Sequence, residues 1–347
     1  MRILHAPYSV AGNAYYLSRA ERKLGHTSDT MVFGRDSFDF PADIDLDLSK
    51  LPIWKLRLRT LSFFARACLS YDIFHFNFGG SLFSSLNRLA NRDLPVLKFF
   101  GRKIVFTFQG CDVRDRFFCL KNFATSACQI CEHSQCDEEF NMKKRRMIET
   151  VSKYAGKLFV LNPDLLKMVP GSQFLPYASV DPRVWIPSPA KKDITPLKIL
   201  HAPTSRSIKG TARVIGAVEN LKKKGAPIEL LLVENVPHQQ TMALYREADI
   251  AIDQLSVGWY GAFAVEAMAL AIPTLCYIRE EDLHPLPFKD KIPLVRTSKE
   301  TLEDDLMALV ESSAKRKDIG ERSRAYVEEV HDPRKIAQML IETYQSL

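Results

Sequence analysis

Residues 2–7 read Arg-Ile-Leu-His-Ala-Pro, and residues 198–203 read Lys-Ile-Leu-His-Ala-Pro. The same short apolar run, closed by a proline turn, opens each half of a 347-residue chain. Six residues do not prove a duplication, but the segments next in the chain after each copy are alike in kind. After the first come Val10-Ala11-Gly12-Asn13 and a helical pattern from Tyr15 to Leu24. Gly25 then stands where a helix C-terminus favours a left-handed residue. After the second come Ser205-Arg206-Ser207-Ile208-Lys209-Gly210 and a helical pattern from Thr211 to Lys224, stopped at Gly225. Each half continues with an apolar run, Asp29–Phe33 in one and Ile228–Val233 in the other.

Further strands are expected at Ile73–Phe78, Lys103–Phe108, Lys157–Leu161, Ile250–Asp253 and Pro273–Ile278. Helical patterns intervene at Gln239–Ala248, Phe263–Leu270, Thr301–Ser312 and Asp318–Val330, with a last helix from Pro333 to Leu347. Such alternation predicts an α/β chain of two open, parallel-sheet domains with helices on both faces. The length agrees, since a single core rarely serves a chain of this size. Pro182, Pro187, Pro189 and Pro196 place the join. The expected division is 1–185 for a first Rossmann-like domain with a cysteine-rich insertion at 111–136, 186–196 for a linker, 197–332 for a second Rossmann-like domain, and 333–347 for a terminal helix. Two such domains facing each other make a cleft, because ligands bind beyond the C-terminal strand ends.

The longest uncharged run, Ile3 to Ser18, carries Pro7, Gly12 and Asn13 and falls short of the about 20 apolar residues a spanning helix needs. With no leader pattern at the N-terminus, a cytoplasmic location is expected. The net charge of +7 is uneven: residues 1–190 carry 26 Lys/Arg against 18 Asp/Glu, and residues 191–347 carry 22 against 23. A basic first half suits an anionic partner as well as it suits a merely solvated surface.

Two segments carry the chemistry. Arg206 and Lys209 sit in a Gly-containing loop between a strand and a helix, where free N–H groups and the helix dipole favour a diphosphate-like anion. Glu266 stands alone in the apolar stretch from Leu255 to Ile278, so it needs a partner, whether a sugar hydroxyl pair or a structural cation. Small residues before it, Gly261 and Ala262, let backbone approach a ligand.

These residues resemble the GT-B glycosyltransferases, in particular the group 1 (family 4) set. The resemblance rests on the Arg206–Gly210 loop, on Leu244–Ile250, on Gly261 through Tyr277, on Thr301-Leu302 and Gly320–His331, and on Leu17–His26, Phe108–Arg114 and Leu175–Asp181 in the first half. It implies a sugar transferred from a UDP- or GDP-linked nucleotide sugar to a glycan or lipid-linked acceptor in surface polysaccharide or glycoconjugate synthesis, with retention of configuration. It implies a terminal helix returning to the first domain. Arg206 and Lys209 would stabilise the leaving diphosphate without a metal at the reaction centre. Gly261, Ala262 and Phe263 would assist through backbone N–H groups, and Glu266, the second acid of the family's E-x7-E pattern, would hold the ribose. Gly12 matches the first-domain glycine that approaches the diphosphate. Two departures stand out: Gly258 occupies the place of the first acid, and Gln109 the place of a common His. Asp112 is a base for an inverting route or a turn cap.

Cys119, Cys128, Cys131 and Cys136, with His133 among them and Cys111 upstream, have spacing compatible with a structural zinc. Two basic stretches, Ile53–Arg66 and Lys143–Arg146, suit a peripheral contact with an anionic membrane or plain surface helices. Many GT-B enzymes use the first domain to reach lipid-linked acceptors. Competing readings are another GT-B activity such as sugar-nucleotide epimerisation, a non-catalytic relative, and a zinc-stabilised nucleic-acid binder using the 143–146 run. No recognisable nucleic-acid module accompanies that run, so nucleic acid is not the expected partner.

Overall fold

The structure, a computed structural model, describes residues 1–35, 39–131, 136–188 and 196–347. In chain order, β1 (Arg2–Ala6), α1 (Asn13–Lys23), β2 (Thr27–Val32), β3 (Ile44–Asp45), α2 (Ile53–Ser70), β4 (Ile73–Asn77), α3 (Asp93–Phe99) and β5 (Lys103–Phe108) come first. Then α4 (Arg116–Asn122), α5 (Ala127–Ile130) and α6 (Glu138–Tyr154) precede β6 (Lys157–Val160) and β7 (Gln173–Phe174). The second run holds β8 (Leu197–His201), α7 (Arg206–Lys209), α8 (Thr211–Lys223), β9 (Ile228–Leu232), α9 (His238–Tyr245) and β10 (Ile250–Ile252). It closes with α10 (Ala262–Ala269), β11 (Thr274–Cys276), β12 (Val295–Arg296), α11 (Leu302–Val310), α12 (Ser313–Val330) and α13 (Pro333–Ser346).

The chain divides into two compact units, each built on one parallel sheet. The first holds the described residues of 1–116, 135–179 and 333–347, with strand order β3-β2-β1-β4-β5-β6-β7. The second holds those of 117–134 and 180–332, with strand order β12-β11-β10-β8-β9. The repeated hexapeptide thus supplies an interior strand to each sheet. Both helices that come after it end at a left-handed glycine, Gly25 at φ +86° and Gly225 at φ +92°.

In the first unit, Phe74, Phe76, Phe106 and Phe108 alternate along β4 and β5 and form one aromatic layer of the core. Fully burying each such ring contributes about 2–3 kcal/mol. The opposite side of the same strands sets buried polar groups beside Ile73 and Val105. His75 Nδ1 donates to Tyr344 Oη at 2.6 Å, and Thr107 Oγ1 donates to His75 Nε2 at 2.6 Å. Tyr344 Oη donates to Glu21 Oε1 at 3.3 Å, and His5 Nε2 and Ser28 Oγ lie 2.9 and 2.6 Å from Glu21 Oε2. Glu21, His75 and Tyr344 are all fully buried. This network and the packing of α13 on α1 make the terminal helix part of the first unit.

The unit boundaries depart from the expected ones in two places. Residues 180–185 join the second unit because Arg324 of α12 donates to the carbonyls of Pro182 and Trp185, at 2.6 and 2.5 Å. Arg183 also pairs with Asp332 at 2.8 Å. The described cysteine-bearing residues 117–131 likewise pack with the second unit, with α5 against α7. Most of the expected linker lies outside the described residues.

In the basic run 143–146, three of the four cations have partners within their unit. It lies on α6, where Lys144 is buried and donates to Arg114 O at 2.8 Å. Arg145 pairs with Asp115 at 2.5 Å and Lys143 with Glu139 at 2.7 Å. Among the described residues, no helix is long and apolar enough to cross a membrane.

Candidate active site

In the second sheet the chain enters at β8, steps outward to β9, and returns on the other side of β8 through β10. The winding reverses between β8 and β10, and loops leaving the carboxyl ends of two such strands diverge and leave room for a ligand. Arg206 and Lys209 come after β8. They do not form the open loop expected from the sequence but a helical turn of their own, α7. Gly210, at φ +75°, ends that turn and begins α8, and a Cβ there would press on Leu255 at 3.2 Å.

Lys209 is only 8% exposed, and its Nζ lies 2.5 Å from Asp253 Oδ1. Asp253, just beyond β10, is fully buried, and its Oδ2 accepts from the Gly261 N–H at 2.7 Å. One carboxylate therefore holds an ammonium and the N-cap amide of α10 side by side. Gly261 has an extended backbone that any residue adopts, so its lack of a side chain is a matter of space: a Cβ would lie 3.3 Å from Lys209 Nζ. Ala262 and Phe263 begin α10, where N–H groups have no intrahelical acceptor and the dipole is positive. Arg206 is exposed and makes a two-pronged pair with Glu234, Nε to Oε1 at 2.8 Å and Nη2 to Oε2 at 2.5 Å. That guanidinium holds the Glu234 carboxyl below its usual range. The two cations sit on different carboxylates, one beyond β9 and one beyond β10.

His201, the repeat's second histidine, stitches the switch point together. Its Nδ1 donates to Ile252 O at 2.8 Å and Thr211 Oγ1 donates to its Nε2 at 2.9 Å. Burial pushes its pKa down, so the ring stays neutral. Glu266, on α10, has the partner its burial demanded, but that partner is His238, with Nε2 2.7 Å from Oε1. The His238 ring rests near Trp185, which also packs against Tyr245.

Gly258 sits at φ +91°. A Cβ on it would fall 2.6 Å from Cζ of Arg279. Arg279 is 3% exposed; it donates to Asp282 Oδ2 at 2.6 Å, Thr125 O at 2.8 Å and Val257 O at 3.2 Å, and lies 3.7 Å above the Phe123 ring. The side of Gly258 on which any side chain would stand is filled by a guanidinium.

The first unit brings together the loops after β1, β4 and β5. Gly12, at φ +70°, caps α1, and a Cβ there would meet Phe40 at 2.9 Å. Asp112 accepts from the amides of Gln109 at 3.1 Å and Gly110 at 2.7 Å, which is the turn-cap role. Burial, only partly offset by those amides, raises its pKa to about 6. Gln109 donates to Asn77 Oδ1 at 3.4 Å, while its own Oε1 is buried with no hydrogen-bond donor among the described residues.

Cys119 is buried in α4, Cys128 lies in α5, and Cys131 and Cys136 are half-buried. Among the described residues no three His, Cys, Asp or Glu side chains are grouped to hold a metal ion, and His133 lies outside them. Asp253, Glu234, His238 and Arg279 were not singled out from sequence. Asp253 had a signal: it and Glu266 are the two acids between Ile250 and Ile278.

No family model and no curated protein sequence matches the chain. Solved structures do. A sucrose-phosphate synthase from Thermosynechococcus elongatus matches with a TM-score of 0.64 and 16% identity, over 99% of this chain and 98% of that one. Anabaena HepE in complex with UDP-glucose matches at 0.63 and 13%, over 100% of both chains. A structure described as a putative UDP-N-acetylglucosamine 2-epimerase from Listeria monocytogenes matches at 0.59 and 13%, over 99% and 95%. With two parallel sheets of seven and five strands and this likeness, the fold of the chain is the GT-B glycosyltransferase fold.

Proposed function

We propose that this chain is a nucleotide-sugar-dependent glycosyltransferase. The observation that carries the reading is the convergence of Lys209, Asp253 and Gly261 at the switch point of the second sheet. A buried ammonium beside a helix N-terminus suits a diphosphate that gains charge as the sugar–phosphate bond breaks. In this reading Lys209 and the amides of Gly261, Ala262 and Phe263 bind that charge. Arg206 joins them by leaving Glu234, and Glu266, steadied by His238, takes the ribose hydroxyls. The sugar passes to a hydroxyl of a glycan or lipid-linked acceptor, and the anomeric configuration is retained. The chemistry needs no metal at the reaction centre. The HepE complex with UDP-glucose supports a UDP-linked donor.

The test is a thermal-shift panel of UDP, GDP, ADP and their sugars. One nucleotide should stabilise the wild type, and Arg206→Ala/Lys209→Ala should lose that shift. A panel with no shift would remove the donor site. If a donor binds and is converted without any acceptor, the chain is an epimerase of the same fold, the reading the Listeria structure favours.

A further inference from the structure

Helix α2 has two faces, and only one is used inside its unit. Thr60, Phe63, Ala67 and Cys68 are buried against the core. On the opposite face Trp54, Leu58, Leu61, Ala65 and Leu69 succeed one another at spacings of 4, 3, 4 and 4 residues, a straight stripe along the helix. All five are exposed, Trp54 by 61%, Leu58 by 64% and Leu69 by 72%. Lys55, Arg57, Arg59 and Arg66 flank the stripe, and residues 53–70 include no Asp or Glu. Lys55 lies over the Trp54 ring at 5.3 Å, and among the described residues none of these four cations pairs with a carboxylate.

Nothing in the fold calls for this pattern. Lys55 in the first turn opposes the helix dipole, which favours acids there, and that turn holds no acid. An exposed apolar stripe costs solubility. A second exposed apolar pair stands at the end of α3, where Phe99 is 85% and Phe100 51% exposed. Helices α2 and α3 lead into the adjacent parallel strands β4 and β5, so their C-terminal ends both lie toward the amino ends of those strands.

We propose that this face of α2 docks on an anionic lipid bilayer. The stripe enters the boundary between headgroups and acyl chains, and the four cations reach lipid phosphates on either side of it. A second copy of the chain is a poor occupant, because two such faces would bring eight cations together. Nucleic acid is another, because the centre of the patch is aliphatic and offers no hydrogen-bonding group to a base. The proposal rests on α2 and not on the donor chemistry.

The full chain contains its own reporter. Trp185 and Trp259 are 3% and 1% exposed, so a change in tryptophan emission on adding vesicles reports Trp54. Vesicles of phosphatidylcholine with a third phosphatidylglycerol should sediment the protein and shift its emission to the blue, and pure phosphatidylcholine should do neither. Arg57→Gln and Arg59→Gln should each weaken binding about fivefold. Leu58→Glu should abolish it while leaving the melting temperature and the nucleotide-induced shift nearly unchanged, since most of the side chain faces solvent and it is not part of the core. Equal weak binding to both vesicle types would overturn the proposal. So would a concentration-dependent dimer that Leu58→Glu dissolves, or salt-sensitive binding to RNA that the same substitution removes.

Discussion

Gly258 and Arg279 occupy one volume: the Cβ that any other residue would place at 258 falls 2.6 Å from the Arg279 guanidinium carbon. Arg279 cannot easily yield, because it is stacked on Phe123 and bonded to Asp282, Thr125 and Val257. Gly258→Ala should therefore destabilise the chain by about 2–4 kcal/mol, from the clash together with the strain of a side chain at φ +91°. Arg279→Ala should cost about 3–5 kcal/mol by taking the guanidinium away from the buried Asp282 carboxylate. In the double variant the clash is gone, so its loss of stability in urea melts should be smaller than the sum of the two single losses. Strict additivity would mean that the guanidinium moves aside freely.

A similar cycle separates folding from binding at the switch point. Lys209→Ala should lose about 3–5 kcal/mol because it strands the buried Asp253 carboxylate. Adding Asp253→Asn removes the stranded charge and should recover most of that loss. Nucleotide-induced stabilisation should stay absent in both, as read by thermal shift with UDP and GDP. If the double variant regains the nucleotide shift along with its stability, Lys209 is a structural residue and not a phosphate ligand.

Much of this was legible in the sequence. The hexapeptide repeat, the glycines at 25 and 225 and the apolar runs locate the long strands and most helices to within a residue or two, but α12 begins at Ser313 and not at Asp318, α9 ends at Tyr245 and not at Ala248, and α6 was not among the expected helices. The two-residue edge strands β3, β7 and β12 were not legible, since so short a segment has no periodicity. The site was half legible. Arg206, Lys209 and Glu266 stand out as charges beside glycines or within apolar runs, but their partners Glu234, Asp253 and His238 come from other strands and helices. Pairings of that kind depend on sheet order, which a linear pattern does not carry. The partners of the basic run 143–146 were hidden for the same reason, because Asp115 and the Arg114 carbonyl lie about 30 residues away in sequence.

Tyr344 offers a test of how α13 is held. Its hydroxyl accepts from His75 and donates to Glu21, in a place without solvent. Tyr344→Phe should destabilise the first unit by about 1–3 kcal/mol, because His75 Nδ1 loses its acceptor. Burial already holds His75 far below its ordinary pKa, so the neutral ring has no easy escape by protonation. Nucleotide stabilisation of the second unit should persist in this variant. Hydrogen exchange should report faster opening of α13 and little change in α8.

Asp93 sets one arm of the pH dependence. It is fully buried, accepting from Ser81 Oγ at 2.7 Å and from the Phe83 amide at 3.2 Å. Desolvation outweighs those bonds and raises its pKa from 3.8 to about 6. In the unfolded chain the group ionises near pH 4, and in the folded chain only near pH 6. The folded state thus holds the proton more tightly, so the stability this group contributes is full below pH 4 and is lost as pH rises through 6. The loss is about 3 kcal/mol across that window. Asp43 and Asp72, lowered by Arg19 and Arg2, act in the opposite sense and mask it in the wild type alone. The clean readout is therefore the wild type minus Asp93→Asn. Ser81 can turn its hydroxyl to accept from the new amide, so the variant should fold. In urea melts the wild type's advantage over the variant should be largest at pH 4.5 and smaller by about 2–3 kcal/mol at pH 7.5. A difference that does not change with pH would mean that Asp93 is ionised in the folded chain throughout.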